Sequence, residues 1–174
     1  MVNITKGSHV NFGNYWQNDD KTKTPIKWIV LDVKGNEALL LSDYVLDAHV
    51  FYHEFVLKSW KDSDIRKWLN TEFLETAFSD KEKEMIVFSD LKNINFRQEV
   101  SDKIFCLDFF ELQSFFDGCD FSGMKINQAL QCKPTNYAVT RGVFVNDYNG
   151  FSFWWTRETS MMYESGIKAH TGSV

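Results

Sequence analysis

The sequence predicts an α+β fold built as one domain over residues 1–174. Three observations predict it. Apolar residues alternate in the opening segments, recur at helical spacing through the middle, and return to extended-looking runs before the end. That order of strands, helices and strands points to α+β and away from alternating βαβ units. No repeat, low-complexity tract or proline-rich linker divides the chain, and Pro25 and Pro134 are its only prolines. At 174 residues it is long enough to bury roughly two-thirds of the surface its unfolded form exposes.

Each element has its own signal. His9 to Trp16 alternates well enough for a strand, and Asn18 to Thr24 is a polar turn. Ile26 to Val33 and Glu37 to Ser42, separated by Lys34-Gly35-Asn36, form a β-hairpin with a short glycine-containing turn. Tyr44 to Lys61 is less regular. Ser63 to Phe78 places Ile65, Trp68, Leu69, Phe73 and Ala77 on one face of an amphipathic helix, capped by Ser63 or Asp62. A second helix starts at Ser79, because Ser79 and Glu82 have capping-box spacing. Asp108 and Glu111 repeat that spacing ahead of a short third helix, Phe109 to Phe116. Thr135 to Val145 and Phe151 to Thr156 are expected to be extended, with Asn146 to Gly150 as the turn between them. The expected whole is a mixed or antiparallel twisted sheet with two to three flanking helices and long aromatic-rich loops.

Composition narrows the function classes. Hydrophobic residues are 44% and charged residues 25%, as in ordinary globular proteins. The departure is in aromatics, at 16%, with 16 Phe and 6 Trp. These bring large contact area with few rotatable bonds, which suits both a loop-threaded core and a binding surface. The net charge is -5 and no basic stripe exists for phosphates, so no nucleic-acid partner is expected. The run Asp80-Lys81-Glu82-Lys83-Glu84 reads as a solvated helix face. No segment has the length and apolarity of a membrane span, and Met1 to Asn18 lacks a signal peptide's charged and apolar regions. The expectation is a soluble chain, cytoplasmic, or surface-exposed or secreted where a leader has been removed. Cys106, Cys119 and Cys132 are too few and too irregularly spaced for zinc, and their odd count does not form a disulfide framework.

Several residue blocks together resemble a known family. Gly7 with Val10-Asn11-Phe12-Gly13, then Pro25 to Leu31 with Trp28, and Ala38 to Ser42 resemble the opening of the bacterial domains of unknown function 6273. Trp60, Ser63 and Ile65-Arg66-Lys67-Trp68-Leu69-Asn70, with Phe73, Ala77-Phe78-Ser79 and Glu82, resemble the family's central helix. Thr135, Tyr137-Ala138, Gly142 and Trp154-Trp155-Thr156-Arg157 resemble its later blocks. By analogy the double tryptophan and arginine imply a C-type-lectin-like or sulfatase-modifying-factor-like fold. Trp28, Trp60, Arg66, Trp68, Asn70 and Tyr137 are thereby expected as structural anchors. Two departures stand out: Glu158 follows the arginine, and the family's closing strand is missing, since the chain stops at His170 to Val174. An unfilled sheet position near the C-terminus implies self-association or strand addition there.

Each candidate chemistry has a structural counterpart. His49 and His53 stand at i and i+4, but a zinc site needs a third protein ligand and the apolar residues between them favour irregular chain. No metal is expected. Cys119 and Cys132 correspond to no evident reactive pair, because a low-pKa thiolate needs a cation or helix N-terminus and only Lys133 adjoins. There is no G-x-S-x-G elbow and no phosphate-cradling glycine loop. Glu111, Asp117 and Asp120 read as a helix end with a turn at Gly118, ahead of calcium ligation. Arg66 and Arg157 each lie near tryptophan, which suggests guanidinium stacking with bonds to carboxylates or carbonyls. The alternative is a ligand cleft floored by Trp154, Trp155 and Arg157, fit for a sugar or a peptide carboxylate. The expected function is a non-enzymatic recognition module for a protein or glycan, without cofactor. The alternatives are an assembly protein using an open C-terminal sheet edge and a sulfatase-modifying-factor-like enzyme.

Overall fold

Strand β1 (His9–Trp16), β2 (Lys23–Lys34) and β3 (Glu37–Ser42) pair antiparallel in the order β1-β2-β3 in a computed structural model that describes residues 4–53, 59–93, 98–116 and 130–157. The turn joining β2 to β3 works because Gly35 takes a left-handed φ of 60°. Period-two alternation sends Ile26 and Trp28 to one face, against the main core, and Ile29 and Leu31 to the other. Both faces are therefore covered: the first by the helical segment that follows, the second by residues around α4 (Phe109–Phe115).

A bulge in β1 between Asn11 and Asn14 sets the strand against the helices. Gly13 sits there at φ +70°, where an added Cβ would lie 2.6 Å from Phe78 Cε1 and 2.8 Å from the Ala77 carbonyl oxygen. Its N–H leaves the ladder and donates to Glu82 Oε1 at 3.0 Å. The inserted residue also changes side-chain parity, so that Val10 and Phe12 before it and Tyr15 after it reach the same core.

The helix expected over Ser63 to Phe78 is present from Asp64 to Ala77, between extended caps at Ser63 and Phe78, yet it is not uniform. A 3-10 turn, Trp60–Asp62, precedes α1 (Asp64–Trp68), a π turn spans Leu69–Phe73, and α2 (Leu74–Ala77) ends the run. The buried residues Ile65, Leu69, Phe73 and Ala77 are four apart. In an α-helix each such step over-rotates by about 40°, and the wider π turn returns that rotation and keeps all four on one face. Ser63 caps the run by accepting from the Arg66 N–H, and α3 (Asp80–Met85) starts with the expected Ser79–Glu82 capping box. The third helix also has its expected box, Asp108 with Glu111.

Other parts correct the sequence reading. Residues Asn136–Thr140 form helix α5 where an extended segment from Thr135 to Val145 was expected, and Thr135 caps it by accepting from the Ala138 N–H at 3.1 Å. Phe151 to Thr156 holds only one bridge, Ser152 to Cys132, in place of a strand. The turn at Asn146 to Gly150 is present, closed by Gly150 N–H to the Asn146 carbonyl and Asn146 N–H to the Phe151 carbonyl, both 2.8 Å. Among the described residues two small sheets accompany the main one: β4 (Tyr44–Val45) pairs parallel with β7 (Lys133–Pro134), and β5 (Ser89–Asn93) forms an antiparallel hairpin with β6 (Gln98–Asp102). The C-terminal edge beyond Glu158 lies outside the described residues. Among the described residues no helix is long and apolar enough to cross a membrane.

Candidate functional site

The double tryptophan and its arginine tie distant parts of the chain together. Trp154 Nε1 donates to the Leu130 carbonyl at 3.1 Å and Trp155 Nε1 to the His49 carbonyl at 2.9 Å. Arg157 is 3% exposed. Its Nη1 donates to the Cys106 carbonyl (2.7 Å) and Glu111 Oε2 (2.9 Å), and its Nη2 to Asp108 Oδ2 (2.8 Å) and Glu111 Oε1 (3.0 Å). The guanidinium also stands over the Phe105 ring, 5.5 Å from its centroid. Asp108 and Glu111 are the two members of the α4 capping box, so backbone N–H groups share the negative charge that one arginine leaves over.

A parallel arrangement holds the helical run. Asp102, 2% exposed, accepts from Trp60 Nε1 at 2.9 Å and from Arg66 Nε at 2.8 and 2.9 Å, with Arg66 Nη2 at 2.7 Å. Arg66 Nη1 reaches the Lys61 carbonyl. Asn70 uses both ends of its amide: Nδ2 donates to the Arg66 and Ile104 carbonyls, and Oδ1 accepts from the Lys103 and Ile104 N–H groups. Trp28 Nε1 bonds to the Phe12 carbonyl at 2.7 Å. Trp68 stacks on His49 at 4.8 Å, and Tyr137 packs against Trp16 and Tyr15.

Beside Tyr137 lies a polar cluster that sequence reasoning missed. Tyr15 Oη donates to Asp47 Oδ2 at 2.5 Å, and Arg141 Nε donates to Asp47 Oδ1 at 3.3 Å. Burial, reinforced by the Asp47 carboxylate, pushes the Tyr15 phenol far above its ordinary pKa, so it remains a donor. Apart from the Ala48 N–H, which donates to Oδ1, the partners of Asp47 are 32 and 94 residues away in the sequence.

His49 and His53 contact edge to face, with ring centroids 6.3 Å apart, while His53 Nδ1 pairs with Asp64 Oδ2 at 3.1 Å. Among the described residues no group of three or more His, Cys, Asp or Glu side chains could hold a metal ion. Cys119, Asp117, Gly118 and Asp120 lie outside the described residues. Burial pushes the thiols of Cys106 and Cys132 up to about 12, the opposite of what nucleophilic activation requires.

Among the described residues, two features adjoin Trp154 and are open to other molecules. One is a cavity of about 100 Å³ lined by the apolar Ile29, Leu41, Phe116, Leu130 and Trp154 and by the polar Ser42, Asp43, Gln131 and Cys132. Of the three residues expected to floor a cleft, Trp154 lines this cavity and Arg157 is enclosed by its own partners. The other is the loop from Val143 to Phe153. Phe144 and Phe153 stack in parallel at 5.1 Å and 8°, 45% and 36% exposed, and Tyr148 at the tip is 99% exposed. Asn side chains brace the loop: Asn146 Oδ1 accepts from the Tyr148 N–H and Asn149 Oδ1 from the Phe151 N–H. Asparagines interleaved with aromatics were the available sequence signal.

An α+β domain whose most distinctive tryptophans and arginines hold it together, with an aromatic loop and a small cavity beside them, is the class these observations define. The family model described as domain of unknown function (DUF6273) matches residues 35–171, and the chain belongs to that family. The match leaves β1 and the whole of β2 outside it, although both pair into the sheet that β3 completes. No curated protein and no solved structure matches the chain.

Proposed function

We propose that this domain is a non-enzymatic recognition module that binds a protein or glycan through the aromatic loop from Val143 to Phe153. The observation that carries the reading is the parallel Phe144–Phe153 stack, exposed on a loop whose backbone is hydrogen-bonded at both ends of its turn. Rigid aromatic side chains lose little conformational freedom on binding and present flat apolar faces to sugar rings or peptide side chains. Lys133, whose Nζ lies 5.9 Å from the Phe151 ring, adds a cation at the loop base. The C-type-lectin-like comparison belongs to the same proposal, because there too long loops on a braced scaffold carry recognition. The raised thiol pKa of Cys132 weighs against the sulfatase-modifying-factor-like alternative.

The test is a glycan array and a displayed-peptide library probed with the wild-type domain and with a Phe144→Ala/Tyr148→Ala double variant. Hits lost in the variant at unchanged melting temperature support the reading. Hits that survive place recognition elsewhere, and turnover of any bound molecule rules out a non-enzymatic module.

A further inference from the structure

A groove of about 750 Å³ opens between the helical run, α3 and the β5–β6 hairpin. Leu74 of α2, Lys83 and Glu84 of α3, Phe88 just ahead of β5 and Lys103 just after β6 all contribute to its lining. Its volume falls within the roughly 300–1,000 Å³ of small-molecule sites. It shares no lining residue with the cavity beside Trp154 and none with the aromatic loop, so it stands or falls independently of the recognition surface proposed above.

Most of the charge around the groove is already engaged. Arg66 is held by Asp102 and the Lys61 carbonyl, and Lys83 pairs with Glu75 and Asp80. Among the described residues Lys103 and Glu84 form no ion pair, but they are held differently. Glu84 is exposed to solvent. The half-buried Lys103 ammonium donates to the Lys83 carbonyl at 2.6 Å and stands over the Phe88 ring, 5.4 Å from its centroid. An ammonium has three protons, and this carbonyl accepts one of them. Ordering a lysine side chain costs rotamer freedom, and no carboxylate of the protein offsets that cost here. The result is a positioned cation with donors to spare.

Beside that cation the surface is apolar. Phe88 is 66% exposed, and Met85 and Val87, close to it in sequence, are 70% and 48% exposed. The carboxylates of Glu75, Asp80 and Glu84 disfavour a multiply charged anion such as phosphate. They do not exclude a single negative charge at Lys103, because Asp80 and Glu75 are 94% and 66% exposed and water screens them. Asp102 is neutralised by Arg66. The geometry points to a binding site for an organic monocarboxylate with an apolar body, its carboxylate accepting from Lys103 Nζ and its body lying along Phe88 and Leu74. A free aromatic acid and the C-terminus of a peptide ending in an apolar residue share that chemistry.

The experiment titrates the full chain, followed by two-dimensional NMR of its amide resonances, with hydrocinnamate, its uncharged amide, phenethylamine, and acetyl-glycyl-phenylalanine with a free C-terminus. Saturable shifts at Leu74, Phe88 and Lys103 are expected with the two acids, with a dissociation constant on the order of 1 mM. Tighter binding of hydrocinnamate assigns the site to a free acid, and tighter binding of the acetylated dipeptide assigns it to a peptide C-terminus. The uncharged amide should bind roughly tenfold more weakly, as should hydrocinnamate to Lys103→Gln, which keeps a donor for the Lys83 carbonyl but loses the charge. Phe88→Ala alters an exposed ring, should leave the melting temperature unchanged, and should weaken both acids roughly threefold or more; it carries the test if Lys103→Gln folds poorly. The site is overturned if neither acid saturates these shifts by about 50 mM, if the amide or phenethylamine binds as well as the acids, or if the affinity survives in both variants.

Discussion

Arg157 and Glu111 face each other in a two-point pair, Nη1 to Oε2 at 2.9 Å and Nη2 to Oε1 at 3.0 Å, across 46 residues of sequence. The same Glu111 carboxylate accepts the Asp108 N–H and so completes the cap of α4. One arginine thus fixes both the position of a helix and the geometry of its first turn.

Arg157→Ala is expected to destabilise the domain by about 3–5 kcal/mol, because it leaves two carboxylates facing a buried gap. Arg157→Lys should recover only part of this, since an ammonium cannot reproduce the two-point fork. Thermal and urea unfolding measure both. A loss below about 1 kcal/mol for the alanine variant would show that the pair is structurally idle.

Asp102→Asn should cost about 2–4 kcal/mol, because it takes the negative charge from a site where Trp60 and Arg66 converge. The near-ultraviolet dichroism of Trp60 should change with it. Unaltered stability would mean that Arg66 finds its compensation at the Lys61 carbonyl alone.

Gly13→Ala meets two obstacles: a positive φ and a Cβ position 2.8 Å from the Ala77 carbonyl oxygen, which is backbone and cannot swing aside. A loss of about 1–3 kcal/mol is expected. Measured against an alanine placed at Gly35, where nothing lies within 4 Å, the difference isolates the steric part.

Stability should fall in alkali. Burial raises the Cys106 and Cys132 pKa values to about 12, so in the folded protein these thiols stay protonated while unfolded thiols ionise near pH 8.5. The unfolded state then binds fewer protons than the folded one, and the stabilisation present below that pH is lost progressively from there up to about pH 12. Tyr15, raised by burial and by Asp47, adds a second loss above about pH 10. Urea midpoints measured from pH 8 to 11 check this, and Cys106→Ala should flatten the first part of the decline.

Much of the fold was legible because its signals are local. Ser63, Ser79 and Asp108 announce helices through side-chain oxygens that accept from backbone N–H groups only three residues away. The β2–β3 hairpin is written in alternation and one glycine. The errors arise where local chemistry is ambiguous or absent. Thr135 caps α5 without an acidic residue three positions on, and the β-branched and aromatic residues of Asn136–Thr140 look like a strand. The β5–β6 hairpin has one apolar residue in each strand, the paired Leu91 and Val100, too few to show a hydrophobic period. At the candidate sites, the capping box at Asp108 was readable but its arginine was not linked to it, and the burial of Ser42, Asp47 and Asp102 depends on contacts distant in sequence.

The Trp155 indole bond to the His49 carbonyl spans 106 residues, and the Arg141–Asp47 bond spans 94. Such ties make the domain a circuit closed late in synthesis: the middle of the chain stays incomplete until its final third has left the ribosome. Shortened expression fragments ending before Arg157 should therefore emerge as aggregation-prone intermediates, and domain boundaries for any tandem or fusion protein belong beyond that residue.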